Sequence, residues 1–323
     1  MNEVCIKTIN SLKKVYTNLL NKDSLAKLSC EKDPTAVSDI MYQYLVSDAP
    51  CMIARFGAFE LNTVVNYLGV SSSDTKSIVN YIGGTRLAWW WDSNLLRFML
   101  TNAGFFPSTP TNAKRFSEMM MSDIKELDVL GSWLVNEQYF LDQLRTVVLV
   151  QREIQNPFFT DFPWTKALEG KKVLVVHPFA DLITYQYEHN REKLFQHKDV
   201  LPSFTLKTIQ AVQSIGGDSE FNDWFEALDW MKSEIDTVDY DICLIGCGAY
   251  GFPLAAHVKR QGKKAVHLGG SLQLLFGIKG ARWERSDYNK EYNYARLMNE
   301  YWVKPGSQFK PKNSENVEGG CYW

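Results

Sequence analysis

The stretch Asp241–Gly270 constrains the fold of this chain more than any other part of its sequence. A short apolar run predicts a strand over Asp241–Ile245, and the pattern G-x-G-x-x-G follows at once over 246–251. Helical spacing predicts a helix over Phe252–Gln261, and a second apolar run predicts a strand over Lys264–Leu268. A strand, a glycine turn, a helix and a strand in this order form the unit from which parallel α/β sheets are built.

The glycine corner in this stretch has the geometry of an anion site. Free backbone N–H groups and the helix dipole point at a bound phosphate there, so Gly246, Gly248 and Gly251 are candidate ligand-binding residues. The next strand, KAVHL, lacks the carboxylate that a dinucleotide fold needs, which argues against NAD. A P-loop is excluded because no G-K-[ST] follows. A nucleoside diphosphate on a sugar fits, with cations from the nearby basic residues Lys259, Arg260, Lys263 and Lys279.

Further apolar runs alternate with helical segments along the chain. Strands are predicted over Cys51–Phe56, Leu127–Trp133 and Lys171–Val176, and helices include Glu137–Arg145 and Glu291–Tyr301. This alternation predicts the α/β class, with a Rossmann-like, mostly parallel sheet that carries helices on both faces. We interpret residues 1–323 as a single domain with N-terminal helices over 1–48, a helical insertion or cap over 71–126, and a C-terminal extension over 284–323.

Composition limits the class of protein. With 323 residues, 45% of them apolar, the chain can bury a large core. The formal net charge of −2, from 35 basic and 37 acidic residues, marks neither a nucleic-acid-binding nor a membrane-binding surface. No run of about 18 apolar residues predicts a transmembrane helix. Six scattered cysteines without a C-x-x-C pair, and an N-terminus unlike a signal peptide, favour reduced thiols in a cytoplasmic protein.

A second strand–glycine–helix corner lies nearer the N-terminus. The strand CMIARF contains Arg55 at its end, Gly57 follows, and Glu60 falls in the first turn of the predicted helix Ala58–Tyr67. The carboxyl ends of parallel strands meet at one edge of a sheet, so the two corners are expected to form one site. Arg55 could hold a donor phosphate bidentately, or it could pair with Glu60. Glu60 could act on the ligand, or it could cap its own helix.

Several segments resemble one protein family. Residues 51–61, CMIARFGAFEL, and the segments HPFADLI, LIGCGAYGFPLAAHVKRQGKKAVHLGG and LQLLFGIKGARWE within 171–284 are similar to the GT-D type glycosyltransferases. These are bacterial proteins associated with surface-polysaccharide genes, once filed as a domain of unknown function. The resemblance runs from about residue 50 to the terminal CYW and is weak across 71–165. It implies a Rossmann-like single domain, a nucleotide-sugar donor and transfer to a growing glycan acceptor.

The resemblance also bears on a metal ion. In the family the first corner reads R-F-G-D-G-E, and its acidic pair holds a divalent cation. Here Glu60 matches the second acid, whereas Ala58 replaces the first. Glu60 is therefore the metal ligand that the motif still supplies. Mg²⁺ or Mn²⁺ is expected only if another carboxylate, such as Asp181, completes the site.

The remaining candidates lie at other predicted strand ends. His177 and Asp181 follow a buried strand, and either could deprotonate an acceptor hydroxyl. Their structural alternatives are a histidine bonded to the backbone and an aspartate that caps the next helix. Candidate donor-binding residues near the last strand are His267, Gly269, Gly270, Gln273 and Trp283. The terminal CYW is expected to dock against the site or a second subunit, so a homo-oligomer is a further expectation.

Three functions stay open at this point. The preferred hypothesis is a glycosyltransferase that uses a nucleotide-diphospho sugar in the assembly of bacterial surface polysaccharide. Loss of the first acid at Ala58 suits a non-catalytic member of the same fold, which would bind a glycan or a partner protein. Because a fold does not determine a function, another nucleotide-dependent enzyme is the third interpretation.

Overall fold

A parallel β-sheet forms the centre of the molecule. The computed structural model describes residues 3–20, 25–215, 219–310 and 320–323. In these ranges the strands are β1 Cys51–Ala54, β2 Val129–Ser132, β3 Val148–Gln151, β4 Lys172–His177, β5 Thr205–Gln210, β6 Ile242–Ile245 and β7 Lys264–His267. They pair in the order β3-β2-β1-β7-β6-β4-β5, and every neighbouring pair is parallel. The predicted α/β class with a parallel sheet is confirmed.

Helices surround this sheet. They are α1 Glu3–Leu19, α2 Pro34–Val46, α3 Ala58–Ser71, α4 Ile78–Ile82, α5 Ser93–Ala103, α6 Pro110–Asp123, α7 Ala180–Leu194, α8 Trp224–Asp236, α9 Gly251–Arg260, α10 Leu272–Leu275 and α11 Ala281–Glu284. Several start at a side chain that accepts a hydrogen bond from the first helical turn, as the carboxylates of Asp33 and Asp223 do. None of the described helices is long and apolar enough to cross a membrane.

Alternate residues of each strand pack into two separate cores. Met52 and Ala54 of β1 point into the core formed with α3, α6, α8 and α9. Cys51 and Ile53 of the same strand point into the core formed with α2, α7 and α10. Helices therefore cover both faces of the sheet, as predicted. Polar side chains of a site can then lie only where the strands end.

The connections create a crevice at the carboxyl edge. From β4 the chain passes through α7 to β5, toward one side of the sheet. From the adjacent strand β6 it passes through α9 to β7, toward the other side. Neighbouring strands whose connections leave in opposite directions form a topological switch point, which is where open α/β sheets bind ligands.

Three elements differ from the sequence interpretation. No strand was expected at Val148–Gln151, which forms β3. The predicted helix Glu137–Arg145 is wrong: the chain forms a 3₁₀ turn at Val135–Phe140, held by the Glu137 carboxylate, which accepts the amides of Trp133 and Leu134 at 3.0 and 3.1 Å.

The predicted helix Glu291–Tyr301 is also wrong, since a 3₁₀ turn over Tyr294–Leu297 takes its place. Tyr292 and Tyr294 are both buried there. Two residues that are two positions apart cannot share one face of an α-helix, so burial of both rings favours an irregular path.

Candidate functional site

A cavity of about 430 Å³ opens at the carboxyl edge of the sheet, and we call it the large cavity. Residues that follow β1, β2, β3, β6 and β7 line it, namely Arg55, Trp133, Arg152, Gly248 and Gly269. Asn102 and Ala103, at the end of α5, reach it from the predicted helical insertion. The expectation that Arg55–Glu60 and the glycine corner lie close together therefore holds for Arg55, Gly57, Glu60 and Gly248.

Arg55 is the central cation of the large cavity. Its Nη2 donates to the Ser271 hydroxyl at 2.9 Å, and that hydroxyl donates to Asn156 Oδ1 at 2.7 Å. No carboxylate in the described part of the chain forms an ion pair with it. Burial and the neighbouring Arg152 charge lower the pKa of Arg55 to about 10. A guanidinium with one hydroxyl partner and a like charge nearby is poised to bind an anion.

Two further arginines extend this positive wall. Arg152 lies 4.1 Å from the ring centre of Trp133 and pairs with Glu153, while Arg282 lies 4.6 Å from the ring centre of Tyr322. All three arginines line the large cavity, against Glu60 and Glu153 among the described residues. With three arginines against two glutamates among the described lining residues, the net charge of the cavity favours a negatively charged ligand.

Glu60 lies both at the start of a helix and in the wall of the large cavity. It lies in the first turn of α3 and accepts a hydrogen bond from its own backbone N–H, while no side chain caps the helix at Gly57. It also lines the large cavity. Its carboxylate folds over Gly57, where a Cβ would overlap it, so Gly57 makes room for this side chain. Burial raises the pKa of Glu60 above its ordinary value, which moves it toward the range of a general base.

His267 lines the large cavity as a neutral imidazole. Its Nδ1 lies 3.2 Å from the Ile245 carbonyl oxygen, so Nδ1 carries the proton and donates. Burial and the Arg55 charge lower the pKa of His267 to about 3. Its ring packs on Gly251, where a Cβ would overlap it. Gly251 lines neither cavity, so the structure gives this glycine a packing role in place of the predicted ligand contact.

His177 lines a second cavity of about 90 Å³ between the ends of β4 and β6, which we call the small cavity. The Phe179 backbone N–H donates to His177 Nδ1 at 2.9 Å, and burial lowers the pKa of His177 to about 3. The proton of this neutral ring is therefore on Nε2, which makes it a hydrogen-bond donor. This geometry does not suit the general base suggested by the sequence.

The other glycines of the predicted site have distinct positions. Gly248 lines both cavities with φ +57°, and Gly269, with φ +56°, would place a Cβ 3.0 Å from Arg55 Nη2. Gly246 lines the small cavity, and its Cβ would lie 2.8 Å from His177 Cδ2. Gly270 lines both cavities and packs against the Tyr322 ring. These glycines bring side chains close together at the sheet edge.

Trp283 lines the large cavity, and Gln273 the small one, as part of the same edge. Two candidates lie elsewhere. Asp181 is exposed at the start of α7 and lines neither cavity, and Lys279 lines neither cavity.

The basic residues that close α9 lie at the opposite edge of the sheet. Lys259 pairs with Asp128 at 2.8 Å, and Arg260 pairs with Asp123 at 2.6 Å. The cations of the site are thus arginines, with Arg55 and Arg152 after β1 and β3 and Arg282 in α11.

Several residues of the site were missed from the sequence, including Arg152, Glu153, Asn156, Arg282, Tyr288 and Tyr294, whereas Tyr322 belongs to the terminal CYW that was expected to dock against the site. The sequence did contain a pattern that indicates Arg152. Val147–Val150 is an apolar run, and Arg152 follows it as Arg55 follows the run of β1. Tyr294 follows no strand, so the pattern of strand ends could not have found it.

The side chains of the large cavity do not fit a divalent cation. Mg²⁺ and Mn²⁺ need several oxygen ligands, preferably carboxylates. The large cavity offers Glu60, next to Ala58, and a Glu153 that Arg152 holds. The described residues contain no group of three or more His, Cys, Asp or Glu that could hold a metal. Asp181, the expected second ligand, lies outside the large cavity.

Two solved structures are similar to this chain. One is a selenomethionine-substituted structure of domain of unknown function 1792, with a TM-score of 0.35, 13% identity, and coverage of 92% of this chain and 100% of that one. The other is a structure of the same highly conserved domain, which is described as having a distinct glycosyltransferase fold. Its TM-score is 0.34 and its identity is 13%, with coverage of 92% of this chain and 99% of that one.

No family model matches the chain, and no curated protein matches it. At these TM-scores the similarity is loose, and the chemistry of this chain follows from its own cavities.

Proposed function

We propose that this protein is a glycosyltransferase that binds a nucleotide-diphospho sugar in the large cavity and transfers the sugar to a hydroxyl of a glycan. The observation that carries the proposal is Arg55, a guanidinium at the carboxyl edge of the sheet without a carboxylate partner among the described residues. A diphosphate supplies the missing charge and accepts hydrogen bonds from the open edge of the guanidinium. Arg152 lies next to it and adds the second cation.

Aromatic side chains supply the rest of a donor site. Trp133, Trp283 and Tyr288 line the same cavity, and their flat faces suit the C–H surface of a sugar or the face of a base. A glycan acceptor in the assembly of surface polysaccharide is part of the proposal. The expected cytoplasmic location and homo-oligomer stay predictions.

The positions of Arg55 and Glu60 in the large cavity support the following transfer step. The Glu60 carboxylate accepts the proton of an acceptor hydroxyl as its oxygen forms a bond to the anomeric carbon. The bond between that carbon and the phosphate oxygen breaks, and the electron pair leaves with the nucleoside diphosphate. Arg55 and Arg152 stabilise the negative charge that develops on this leaving group.

Calorimetric titration with UDP, GDP, CDP and CMP tests the proposal. At least one diphosphate should bind, and CMP should bind at least ten-fold more weakly than CDP, because a monophosphate cannot contact both Arg55 and Arg152 in the same way. Affinity should fall as salt is raised, since the contacts are ionic. If none of the nucleotides binds, the proposed function is wrong.

A second expected result concerns cations. The affinity for the best nucleoside diphosphate should change less than about two-fold between EDTA and roughly millimolar MnCl₂. Arginines neutralise the phosphates here, so a metal ion is not needed for that purpose. Ala58→Asp is the matched variant, since Ala58 and Glu60 both line the large cavity from the first turn of α3. This variant should bind the diphosphate more tightly with Mn²⁺ than with EDTA. A wild-type protein that requires Mn²⁺ for binding would contradict the proposal of arginine neutralisation.

The non-catalytic alternative rests on the replacement of an acid by Ala58. It predicts that a nucleotide sugar binds without turnover, or that only glycans bind. Release of nucleoside diphosphate from a bound nucleotide sugar separates the two, because a binding protein leaves the donor intact. The expected result is slow release without an acceptor and faster release with one.

A further inference from the structure

The small cavity differs in chemistry from the large one. It lies at the topological switch point between β4 and β6, and among the described residues no Asp, Glu, Lys or Arg lines it. Much of its wall is apolar or aromatic, including Phe179, Val212 and Trp323. A cavity with such walls selects a neutral group, since a charge would lose its hydration without gaining a partner.

One side of this cavity offers a hydrogen-bond donor. His177 is 2% exposed, and its Nδ1 already accepts the Phe179 amide at 2.9 Å, so Nε2 carries a proton. Nε2 forms no hydrogen bond with the described residues, and these residues do not fully enclose it. The donor is therefore buried, fixed in orientation and open to a ligand in the cavity.

Gln273 offers a second buried polar group, which is an acceptor. Gln273 is 1% exposed, and its Nε2 donates to the carbonyl oxygens of Ile278, Lys279 and Tyr322 at 3.3, 2.9 and 3.2 Å. Three carbonyls around the nitrogen determine which end of the amide is Nε2, so Oε1 points away from them. Oε1 has no hydrogen bond with the described residues, and these residues do not fully enclose it either.

We propose that the small cavity binds a neutral, flat –CO–NH– edge, whose carbonyl oxygen accepts from His177 Nε2–H and whose N–H donates to Gln273 Oε1. Gly248, Gly270 and Tyr322 line both cavities, so a ligand held by Arg55 can extend into the small one. The inference rests on the proposed function, because it takes the edge to be part of the nucleotide sugar. Two parts of such a donor carry this edge: the lactam or imide of uracil and guanine, and the acetamido group of an N-acetylated sugar.

Matched ligand pairs on the wild-type protein test the proposal and identify the source. If the base enters the cavity, UDP or GDP should bind at least ten-fold more tightly than CDP and ADP, whose bases lack the –CO–NH– edge. If the sugar enters it, UDP-N-acetylglucosamine should bind at least ten-fold more tightly than UDP-glucose. Differences within two-fold in both comparisons would overturn the proposal while leaving diphosphate binding intact. Absence of binding by every diphosphate would overturn the proposed function as well.

Two variants connect the preference to this cavity. His177→Phe removes the donor but keeps a flat ring, and Val212→Phe narrows the cavity without changing His177 or Gln273. In each variant, the ligand pair that the wild-type protein distinguishes should bind with an affinity ratio close to one. Inorganic pyrophosphate, which reaches only the arginines, should bind as it does to the wild-type protein. Thermal unfolding monitors whether each variant is folded, and the ligand pairs test the proposal even if one is not. A folded variant that keeps the full preference would overturn the assignment to the small cavity.

Discussion

Replacing Arg55 by methionine is expected to weaken nucleoside diphosphate binding by about 2–4 kcal/mol, or roughly 30-fold to several hundred-fold. Arg55 has a hydroxyl partner and no carboxylate partner among the described residues, so the bound phosphate is its main counter-charge. Calorimetry with the best nucleotide measures the loss. Arg55→Lys should lie between wild type and Arg55→Met, because an ammonium keeps the charge but loses the planar, bidentate contact.

Stability separates a lost ligand contact from a damaged fold. Burial and Arg152 lower the pKa of Arg55 to about 10, which means that the charged guanidinium is less favourable in the folded protein than in the unfolded chain. At neutral pH this cost is fully present, so Arg55→Met should keep or raise the melting temperature of the ligand-free protein. Arg145→Met is the control, since Arg145 is an exposed residue paired with Asp142 and should affect neither property. Wild-type affinity in Arg55→Met would remove the main support for the proposed function.

Glu60→Gln is expected to lower the rate of transfer by about 10²- to 10⁴-fold with little change in donor affinity. The amide keeps the shape of the side chain over Gly57 but cannot accept the proton of the acceptor hydroxyl. Release of nucleoside diphosphate measures the rate, and calorimetry measures donor binding. Asp181→Asn is the matched control, because Asp181 is exposed and lines neither cavity, and its activity should stay within about two-fold of wild type.

The pH dependence gives a second measurement for Glu60. Burial raises its pKa, so the active carboxylate forms only as the pH rises above the ordinary range of a glutamate, and the rate should rise with it. A raised pKa stabilises the folded protein below the unfolded value, and this contribution is lost as pH rises through the folded pKa. Glu60→Gln should therefore be at least as stable as wild type at neutral pH. An active Glu60→Gln enzyme would show that Glu60 only caps α3.

Much of the sheet could be predicted because its strands are buried on both faces. The runs that form β1 and β6 are apolar throughout, those of β4 and β7 are apolar between a lysine and a histidine, and glycine turns mark the ends of β1, β6 and β7. β3 has a similar apolar run but no glycine after it, so the cue that located the other corners is absent. Arg152 was missed for the same reason.

Other parts of the site depend on contacts between distant segments. Tyr294 reaches the large cavity from an irregular segment, and its hydroxyl accepts from Asn156 Nδ2 at 3.0 Å. No local pattern encodes a contact across 138 positions of the chain. The role of His177 likewise follows from a single amide donor, Phe179 N–H, which determines where its proton lies. Residue type alone predicted a base, and the tautomer indicates a donor.

The union of Arg55, Arg152 and Tyr322 around one cavity has a consequence for folding. These residues meet only after strands from both halves of the chain have paired, with β1 beside β7 at the centre of the sheet. Closing such long loops is slow, so the ligand site should be among the last parts to form during refolding. A nucleotide that binds there stabilises only the finished structure, by about 2.7 kcal/mol at a hundred times its Kd. The time course of recovered nucleotide binding after dilution from denaturant would therefore measure the rate at which folding is completed.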